Sequence, residues 1–234
     1  MDEPDRAALQ KTISDPVVPV SQKIREFIGQ YNRAAGTSAA SWQVSKEAWQ
    51  RYEFLGDRIL NLAAAELLFC GSPAGNEGEM TQKMGVVANE SLAAIAEHKQ
   101  VEVSLLIPAA IGQQQVYGDA VKGGAIEACI GAISVCAGYK AARVVARDFL
   151  SGEIERYDPS ANFIGRLQEY FQQQGLPLPV YEEISRTGPS HQPVFTFRVC
   201  SGKDLTCLGK GTGCSTTEAR QAAAKRAMET LTHP

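Results

Sequence analysis

The sequence of 234 residues has few of the side chains from which soft-metal sites are built. It contains six cysteines and only three histidines, and no two cysteines are separated by just two residues. A zinc site would require closer Cys and His pairs, so this class of site is not expected. The cysteines are expected to be free and reduced. The seven-residue spacing of Cys200, Cys207 and Cys214 is interpreted as chance.

Long apolar runs and an excess of basic charge are also missing. No apolar run approaches the roughly 20 residues of a membrane helix, and the opening MDEPDRAALQ lacks the features of a signal peptide. A cytoplasmic protein without membrane attachment is therefore expected. The formal net charge of −3 argues against phosphate binding by the whole surface. Residues 161–234 nevertheless hold eight basic against six acidic side chains, which indicates a mildly basic C-terminal module.

Helical patterns dominate the first part of the chain. Hydrophobic residues make up 44% and charged residues 21% of the sequence, which is typical of globular proteins. Residues 1–17 are interpreted as a loose lead-in and 151–161 as a linker, with loops at 71–75 and 108–117. The helical periodicity predicts helices at 21–32, 46–69, 79–88, 90–98 and 119–150, and a break in the last at Gly138 is left open.

After the linker the pattern changes to a mixed α and β order. Helices are predicted at 162–174 and 215–231, and strands at 180–184, 194–200 and 205–210. Asn162 is a candidate N-cap, and Ser215 with Glu218 has the spacing of a capping box. The sequence therefore predicts an all-α domain over 18–150, followed by a small α+β domain of α-β-β-β-α order over 161–232.

Three carboxylates of the first module are candidate metal ligands. Glu53 and Asp57 are four residues apart, so they project from one face of the predicted helix. From this spacing alone a solvated acidic face is the simpler interpretation, and an Mg²⁺ site is the alternative. Glu127 shifts the balance because it stands among small and apolar residues, where a carboxylate is costly to bury unless paired. A salt bridge to Lys122 or Arg58 is the structural alternative.

These segments resemble a known family. RYEFLGDRIL at 51–60, EGEMT at 77–81 with NESLA at 89–93, and GAIEACIGA at 124–132 resemble, in order, the blocks of the ribonuclease III endonuclease domain. NFIGRLQEY at 162–170 and QAAAK at 221–225 are similar to a double-stranded-RNA-binding domain. The resemblance covers about residues 20–232, and several blocks in one order are more specific than one motif.

The resemblance implies an Mg²⁺-dependent endonuclease, with Mn²⁺ as a possible substitute, that cleaves double-stranded RNA as a homodimer and leaves short 3′ overhangs. By this resemblance Glu53, Asp57 and Glu127 match catalytic, metal-binding carboxylates, and Glu77 matches a further acidic residue of the cleavage valley. Phe54 matches an aromatic residue that inserts into the partner subunit. From the sequence itself, Phe54 belongs either to the core or to an interface.

The chain departs from the family pattern at two places in the first module. Gly124 stands where the family has an aspartate, three residues before Glu127. Trp49-Gln50 replaces the Asn-Glu pair that usually precedes the first block. Both changes remove acidic character. They favour an alternative function, in which a catalytically impaired member serves as an RNA-binding or structural subunit of a larger ribonucleoprotein assembly.

The resemblance also implies which residues of the second domain contact duplex RNA, which is recognised by shape, phosphates and 2′-hydroxyls. One candidate, His191, lies in the loop between the first two predicted strands, where a solvated histidine without an RNA contact is an equally good interpretation. Thr216 and Thr217 replace the usual lysine pair at the start of the last helix, so weak duplex binding is expected. The candidate RNA-binding residues are Gln168, Glu169, His191, Lys210, Arg220 and Lys225.

Overall fold

The structure, a computed structural model, describes residues 6–71, 75–111, 117–188 and 193–232. The chain divides into two compact units, Met1–Tyr157 and Asp158–Pro234. Each unit has its own hydrophobic core. The first unit is helical, and the second joins two helices to a three-stranded antiparallel sheet. The predicted fold class is therefore confirmed.

Eight α-helices lie in the described part of the first unit, and most lie within a few residues of their predicted positions. Short 3₁₀ turns at Met84–Val87, Val103–Leu106 and Ala109–Ile111 connect some of them. The helices are α1 (Arg6–Ser14), α2 (Val20–Ala34), α3 (Lys46–Gly71), α4 (Glu77–Lys83), α5 (Asn89–His98), α6 (Asp119–Ala137), α7 (Tyr139–Leu150) and α8 (Glu153–Arg156).

Two segments predicted to lack regular structure contain helices. The lead-in predicted for 1–17 is wrong over α1, because Leu9 and Ile13 lie four residues apart and are fully buried in the core. The linker predicted for 151–161 contains α8 and a 3₁₀ turn at Pro159–Ala161. The predicted loops at 71–75 and 108–117 lie partly outside the described residues.

The long predicted helix 119–150 is two helices that meet at Gly138. This residue has φ +93°, a conformation that glycine adopts without the Cβ penalty of other residues. It therefore ends α6 and redirects the chain into α7. Over its 19 residues, α6 reaches the length and mean hydropathy of a membrane span, contrary to the sequence-based expectation. About 67% of that stretch is buried inside the protein, which is typical of a central core helix.

The packing of α3 against α6 is close enough that backbone meets backbone. A Cβ added at Gly56 of α3 would overlap the carbonyl oxygen of Glu127, and one added at Gly131 of α6 would overlap the carbonyl oxygen of Tyr52. Neither contact is with a flexible side chain, so the two helices could not cross at this distance with larger residues there. The crossing fixes which residues of α3 face which residues of α6.

The second unit has two helices packed against one sheet. Its elements are α9 (Phe163–Gln173), β1 (Val180–Thr187), β2 (Val194–Cys200), β3 (Cys207–Gly213) and α10 (Thr216–Thr232). The sheet order is β1-β2-β3, with both neighbouring pairs antiparallel. Its buried core residues come from α9, β2 and α10, and they are Leu167, Phe171, Val199, Ala223, Ala224 and Ala227.

Both predicted helix caps of the second unit are present. Asn162 Oδ1 accepts from the backbone N–H of Gly165 at 3.0 Å, which caps α9. Ser215 Oγ accepts from the backbone N–H of Glu218 at 3.0 Å, and the Glu218 carboxylate accepts from that of Cys214 at 2.7 Å. The side chains thus satisfy N–H groups that helix starts leave without partners. The strand predicted at 205–210 begins two residues later and extends to Gly213.

The α3–α6 crossing predicts a large effect of one methyl group. Gly56→Ala places a Cβ against the backbone of Glu127, which cannot rotate away, so the helices must separate. We expect a loss of about 1–3 kcal/mol or more in the free energy of unfolding, measured by urea denaturation. Gly71→Ala, at the end of the same helix and with nothing within 4 Å of its added Cβ, is the matched control. Equal stabilities of the two variants would contradict the crossing.

Candidate active site

The α3–α6 crossing positions three carboxylates near one another. Glu53 and Asp57 flank Gly56 on α3, one helical turn apart. Glu127 lies on α6, and its own backbone carbonyl is the group that Gly56 contacts. The close approach of the two backbones therefore brings all three side chains into electrostatic range, as the pKa of Glu127 shows.

Glu127 is a nearly buried carboxylate surrounded by like charges. Its exposed fraction is 8%. Burial first, and then the negative charges of Asp57 and Glu53, together raise the pKa of Glu127 from 4.5 to about 7. Arg58 acts in the opposite direction and lowers it. Within the described residues, Glu127 forms no salt bridge. The two basic residues considered as its partners pair with other carboxylates, Arg58 with Asp57 and Lys122 with Asp119.

The two carboxylates on α3 have different surroundings. Burial raises the pKa of Glu53 above its ordinary value. Asp57 instead has two partners on its own helix. Asn61 Nδ2 donates to Asp57 Oδ1 at 2.7 Å, and an Arg58 nitrogen lies 3.0 Å from Asp57 Oδ2. Sequence reasoning missed Asn61 as a positioning residue, although its spacing of four from Asp57 is the signal that could have identified it.

The side chain of Glu53 occupies the space next to Gly124. A Cβ at Gly124 would lie 2.6 Å from Glu53 Oε1 and 3.3 Å from the ring of Trp49. Trp49 is itself buried, and its indole N–H donates to the Leu106 carbonyl at 3.3 Å. The position that lacks the family's aspartate is therefore covered by Glu53 and Trp49. A side chain at residue 124 requires the Glu53 carboxylate to move.

The donor set has the chemistry of a hard-cation site. No group of three or more Cys, His, Asp or Glu side chains within the described ranges is already arranged to hold a metal ion. Glu53, Asp57 and Glu127 nevertheless offer only oxygen atoms and repel one another, as the pKa of Glu127 records. Mg²⁺ takes one or two carboxylates and keeps several waters, so these residues fit such an ion without enclosing it.

Glu77 lies at a different place. It begins α4, is exposed, and lines a cavity of about 640 Å³ beside the second half of α3. The charges that act on Glu127 come from Asp57, Glu53 and Arg58. The structure thus brings three of the four predicted carboxylates together. The assignment of Glu77 to the metal stays a prediction.

Phe54 does not belong to the core of its own chain. Its exposed fraction is 68%, and the Arg58 guanidinium lies 5.6 Å from the centre of its ring. Exposed residues follow it along one face of α3 at spacings of three and four: Arg58, Leu62, Ala65 and Phe69. This exposed stripe, residues 54, 58, 62, 65 and 69, is mostly apolar. Of the two sequence-based alternatives for Phe54, core and interface, the core is excluded.

The candidate RNA-binding residues of the second unit lie on several elements. Gln168 and Glu169 are on α9, where Gln168 is half-buried and Glu169 is exposed. Lys210 on β3 and Lys225 on α10 are exposed, and both line one cavity of about 500 Å³. His191 lies outside the described residues. The roles of these residues in RNA binding stay predictions.

The side chain of Arg220, a candidate RNA-binding residue, already contacts another residue of the second unit. Its guanidinium lies 4.8 Å from the centre of the Tyr181 ring, a cation–π contact between α10 and β1. Thr216 and Thr217 open α10, where the family has lysines, and carry no charge. The start of α10 therefore offers less positive charge than the resemblance alone implies.

The raised pKa of Glu127 predicts a pH-dependent stability. Its folded pKa of about 7 exceeds the ordinary 4.5, so the folded state holds this proton more tightly. The resulting stabilisation is complete below pH 4.5 and is lost as pH rises toward 7. Without metal, Glu127→Gln should remove this decline and be more stable than wild type at pH 8 by about 1–3 kcal/mol.

The measurement is urea denaturation at a series of pH values in EDTA. Glu47→Gln, an exposed glutamate at the start of α3, is the control and should keep the wild-type decline. Parallel pH profiles of wild type and Glu127→Gln would show that Glu127 is an ordinary carboxylate.

Comparison with known proteins agrees with the order of the two units. The family model described as "Ribonuclease-III-like" matches residues 40–154, and the model "Double-stranded RNA binding motif" matches residues 163–231. Proteins named "Ribonuclease 3" are similar over most of their length. That of Caulobacter vibrioides is 38% identical, and the match covers 76% of this chain and 78% of the relative. That of Phenylobacterium zucineum is 37% identical, and the match covers 78% of this chain and 76% of the relative. That of Cereibacter sphaeroides is 35% identical, covering 74% of this chain and 76% of its own.

Proposed function

Since the chain belongs to the ribonuclease III family, we propose that it is an Mg²⁺-dependent endonuclease that cleaves double-stranded RNA as a homodimer and leaves short 3′ overhangs. The observation that carries the proposal is the buried Glu127 carboxylate beside Glu53 and Asp57. Three repelling carboxylates destabilise the fold when no cation is bound, which is a cost that a purely structural subunit has no reason to keep.

Glu53, Asp57 and Glu127 would hold the cation, and Mn²⁺ would serve in place of Mg²⁺ because it also takes oxygen ligands. The cation would supply positive charge that stabilises the phosphate oxygens and acidifies the attacking water. Asn61 holds one oxygen of Asp57 through its hydrogen bond, and the exposed Arg58 side chain, which pairs with the other oxygen, would have to turn away for that oxygen to bind the cation. Burial of α6 against α3 keeps water from screening the charge of Glu127.

Cleavage of long duplex RNA is the direct test of this function. Wild type should cut in Mg²⁺ or Mn²⁺ and stop in EDTA. Glu127→Gln should lose cleavage with its circular dichroism unchanged, because an amide is a poorer ligand for a hard cation. Glu47→Gln is the control and should cut like wild type. Undiminished cleavage by Glu127→Gln would remove this residue from the site.

The second candidate function is a non-cleaving RNA-binding or structural subunit of a larger assembly. The specific observations that favour it are Gly124 in place of a carboxylate and the uncharged Thr216 and Thr217 at the start of α10. It predicts duplex binding in a gel-shift assay together with no cleavage in either metal. The nuclease proposal predicts cleavage even where binding is weak.

Gly124 offers a way to measure what the missing carboxylate costs. Gly124→Asp restores an acid one turn before Glu127 and should raise the cleavage rate or lower the Mg²⁺ concentration needed for half-maximal rate. Gly124→Ala is the matched control, because its Cβ makes the same demand on Glu53 without adding a ligand. Equal behaviour of the two variants would mean that the site is limited by something other than this carboxylate.

The exposed stripe on α3 supports the homodimer. It carries a projecting ring, Phe54, at one end, and at the other end Leu62, Ala65 and Phe69 line the 640 Å³ cavity together with Met80. A surface that holds both a projection and a cavity can pair with a copy of itself about a two-fold axis. In the proposed dimer, Phe54 of each subunit enters the cavity of the other, and two sets of carboxylates act on one duplex.

Phe54→Ala should weaken this dimer without unfolding the chain. Truncation of a buried Phe costs about 3–5 kcal/mol, and about 1.4 kcal/mol is tenfold in the dissociation constant. We expect at least a hundredfold weaker association by analytical ultracentrifugation, since about 3 kcal/mol is two such steps. Val17→Ala, at a position 85% exposed in the single chain, is the control. A wild-type chain that sediments as a monomer at high micromolar concentration would overturn the dimer.

A further inference from the structure

Two cysteines of the second unit lie opposite each other at the turn between β2 and β3. Cys200 is the last residue of β2, Cys207 is the first residue of β3, and the strand register pairs the two. Directly opposed residues of antiparallel strands have Cβ atoms about 4.5–5.5 Å apart. Disulfides have Cβ atoms about 3.5–4.5 Å apart. A small approach of the two strands therefore suffices for a bond between the sulfur atoms.

Hydrogen bonding around the pair favours this approach. The Ser201 N–H donates to the Thr206 carbonyl at 2.8 Å, so the neighbouring pair 201/206 is hydrogen bonded. The register shifts between Val199 and Cys200, so a bulge lies beside the pair, and the hydrogen bonds of Ser201 hold the two strand ends together there. Paired residues of antiparallel strands have Cα atoms about 4.5–5.5 Å apart, which lies within the range found for disulfides, about 4.4–6.8 Å. The Cys207 thiol donates to the Gly209 carbonyl at 3.8 Å on its own strand, and the two thiols are close enough that Cys207, in addition to burial, raises the pKa of Cys200.

The two thiols differ in access to solvent. Cys200 has an exposed fraction of 1%, and burial raises the pKa of its thiol. Cys207 is exposed. A reagent in solution can therefore reach Cys207 first, and Cys200 is positioned to react only with its neighbour. All six cysteines fall within the described residues, and this is the one pair placed in opposed positions of the sheet.

We propose that Cys200 and Cys207 form a redox-active dithiol that low-molecular-weight disulfides convert to an intramolecular disulfide. The Cys207 thiolate attacks one sulfur of the small disulfide, breaks its S–S bond and releases one small thiolate. Cys200 then gives its proton to water and attacks the Cys207 sulfur, which expels the second small thiolate. Two protein thiols are oxidised, and one small disulfide is reduced to two thiols.

The resulting bond closes the turn 201–206 at its base. Thr206 and Leu205 are already held there, since the Leu205 N–H donates to the Ser201 carbonyl at 2.9 Å. The disulfide restricts the unfolded chain more than the folded hairpin, in which the two cysteines are already paired in the sheet. Oxidation is therefore expected to stabilise the second unit and to leave the carboxylates of the first unit unchanged.

The test is oxidation of the full purified chain with glutathione disulfide, followed by alkylation and peptide mass spectrometry without reduction. We expect a peptide that links Cys200 to Cys207 within one chain, two fewer alkylated thiols, and a melting temperature raised by several degrees that dithiothreitol reverses. Cys207→Ser should lose all three effects. Cys214→Ser, which removes another exposed thiol and keeps the pair, is the matched control and should show all three.

Three results would overturn the proposal. One is full alkylation of both thiols after oxidation. Another is a glutathione adduct at Cys207 that persists without transfer to Cys200. The third is a cross-link of Cys207 mainly to Cys214 or to a second chain. Because Cys207 is exposed, its serine variant is expected to fold, and unchanged circular dichroism checks this.

Discussion

The close crossing of α3 and α6 is the contact on which the candidate site depends. Gly56 and Gly131 let the two backbones touch, and this contact fixes the position of Glu53 and Asp57 relative to Glu127. A wider crossing would put Glu127 in contact with solvent, where water would screen its charge from the other two carboxylates. The small residues of this helix pair therefore serve the chemistry as well as the packing, because the same separation determines both.

Electrostatic repulsion is the consequence of that crossing. Burial and two neighbouring carboxylates raise the pKa of Glu127 to about 7, with Arg58 as the opposing charge. The site is therefore unfavourable in the absence of a cation and becomes favourable when one binds, which couples metal binding to stability. Gly124 fits this account, since a fourth carboxylate would add repulsion where Glu53 already fills the available space.

Much of the architecture follows from periodicity and caps, whereas the site depends on contacts that a sequence does not state. Glu127 could be singled out because one carboxylate in an apolar helix requires a partner. The support of Asp57 by Asn61 was missed because it depends on a side-chain rotamer. Helix α1 was missed because two buried apolar residues are a short signal. The pairing of Cys200 with Cys207 was missed because it depends on the length of a turn and the strand register that follows from it.

The central claim is that carboxylates from two helices form one cation site. Anomalous diffraction from crystals grown with Mn²⁺ tests it most directly, because the ion is located without reference to activity. The account predicts an anomalous peak in contact with carboxylate oxygens of Glu53, Asp57 or Glu127, and no such peak in Glu127→Gln crystals. A wild-type crystal with no peak there, or with its peak only beside Glu77 in the cavity of about 640 Å³, would contradict it.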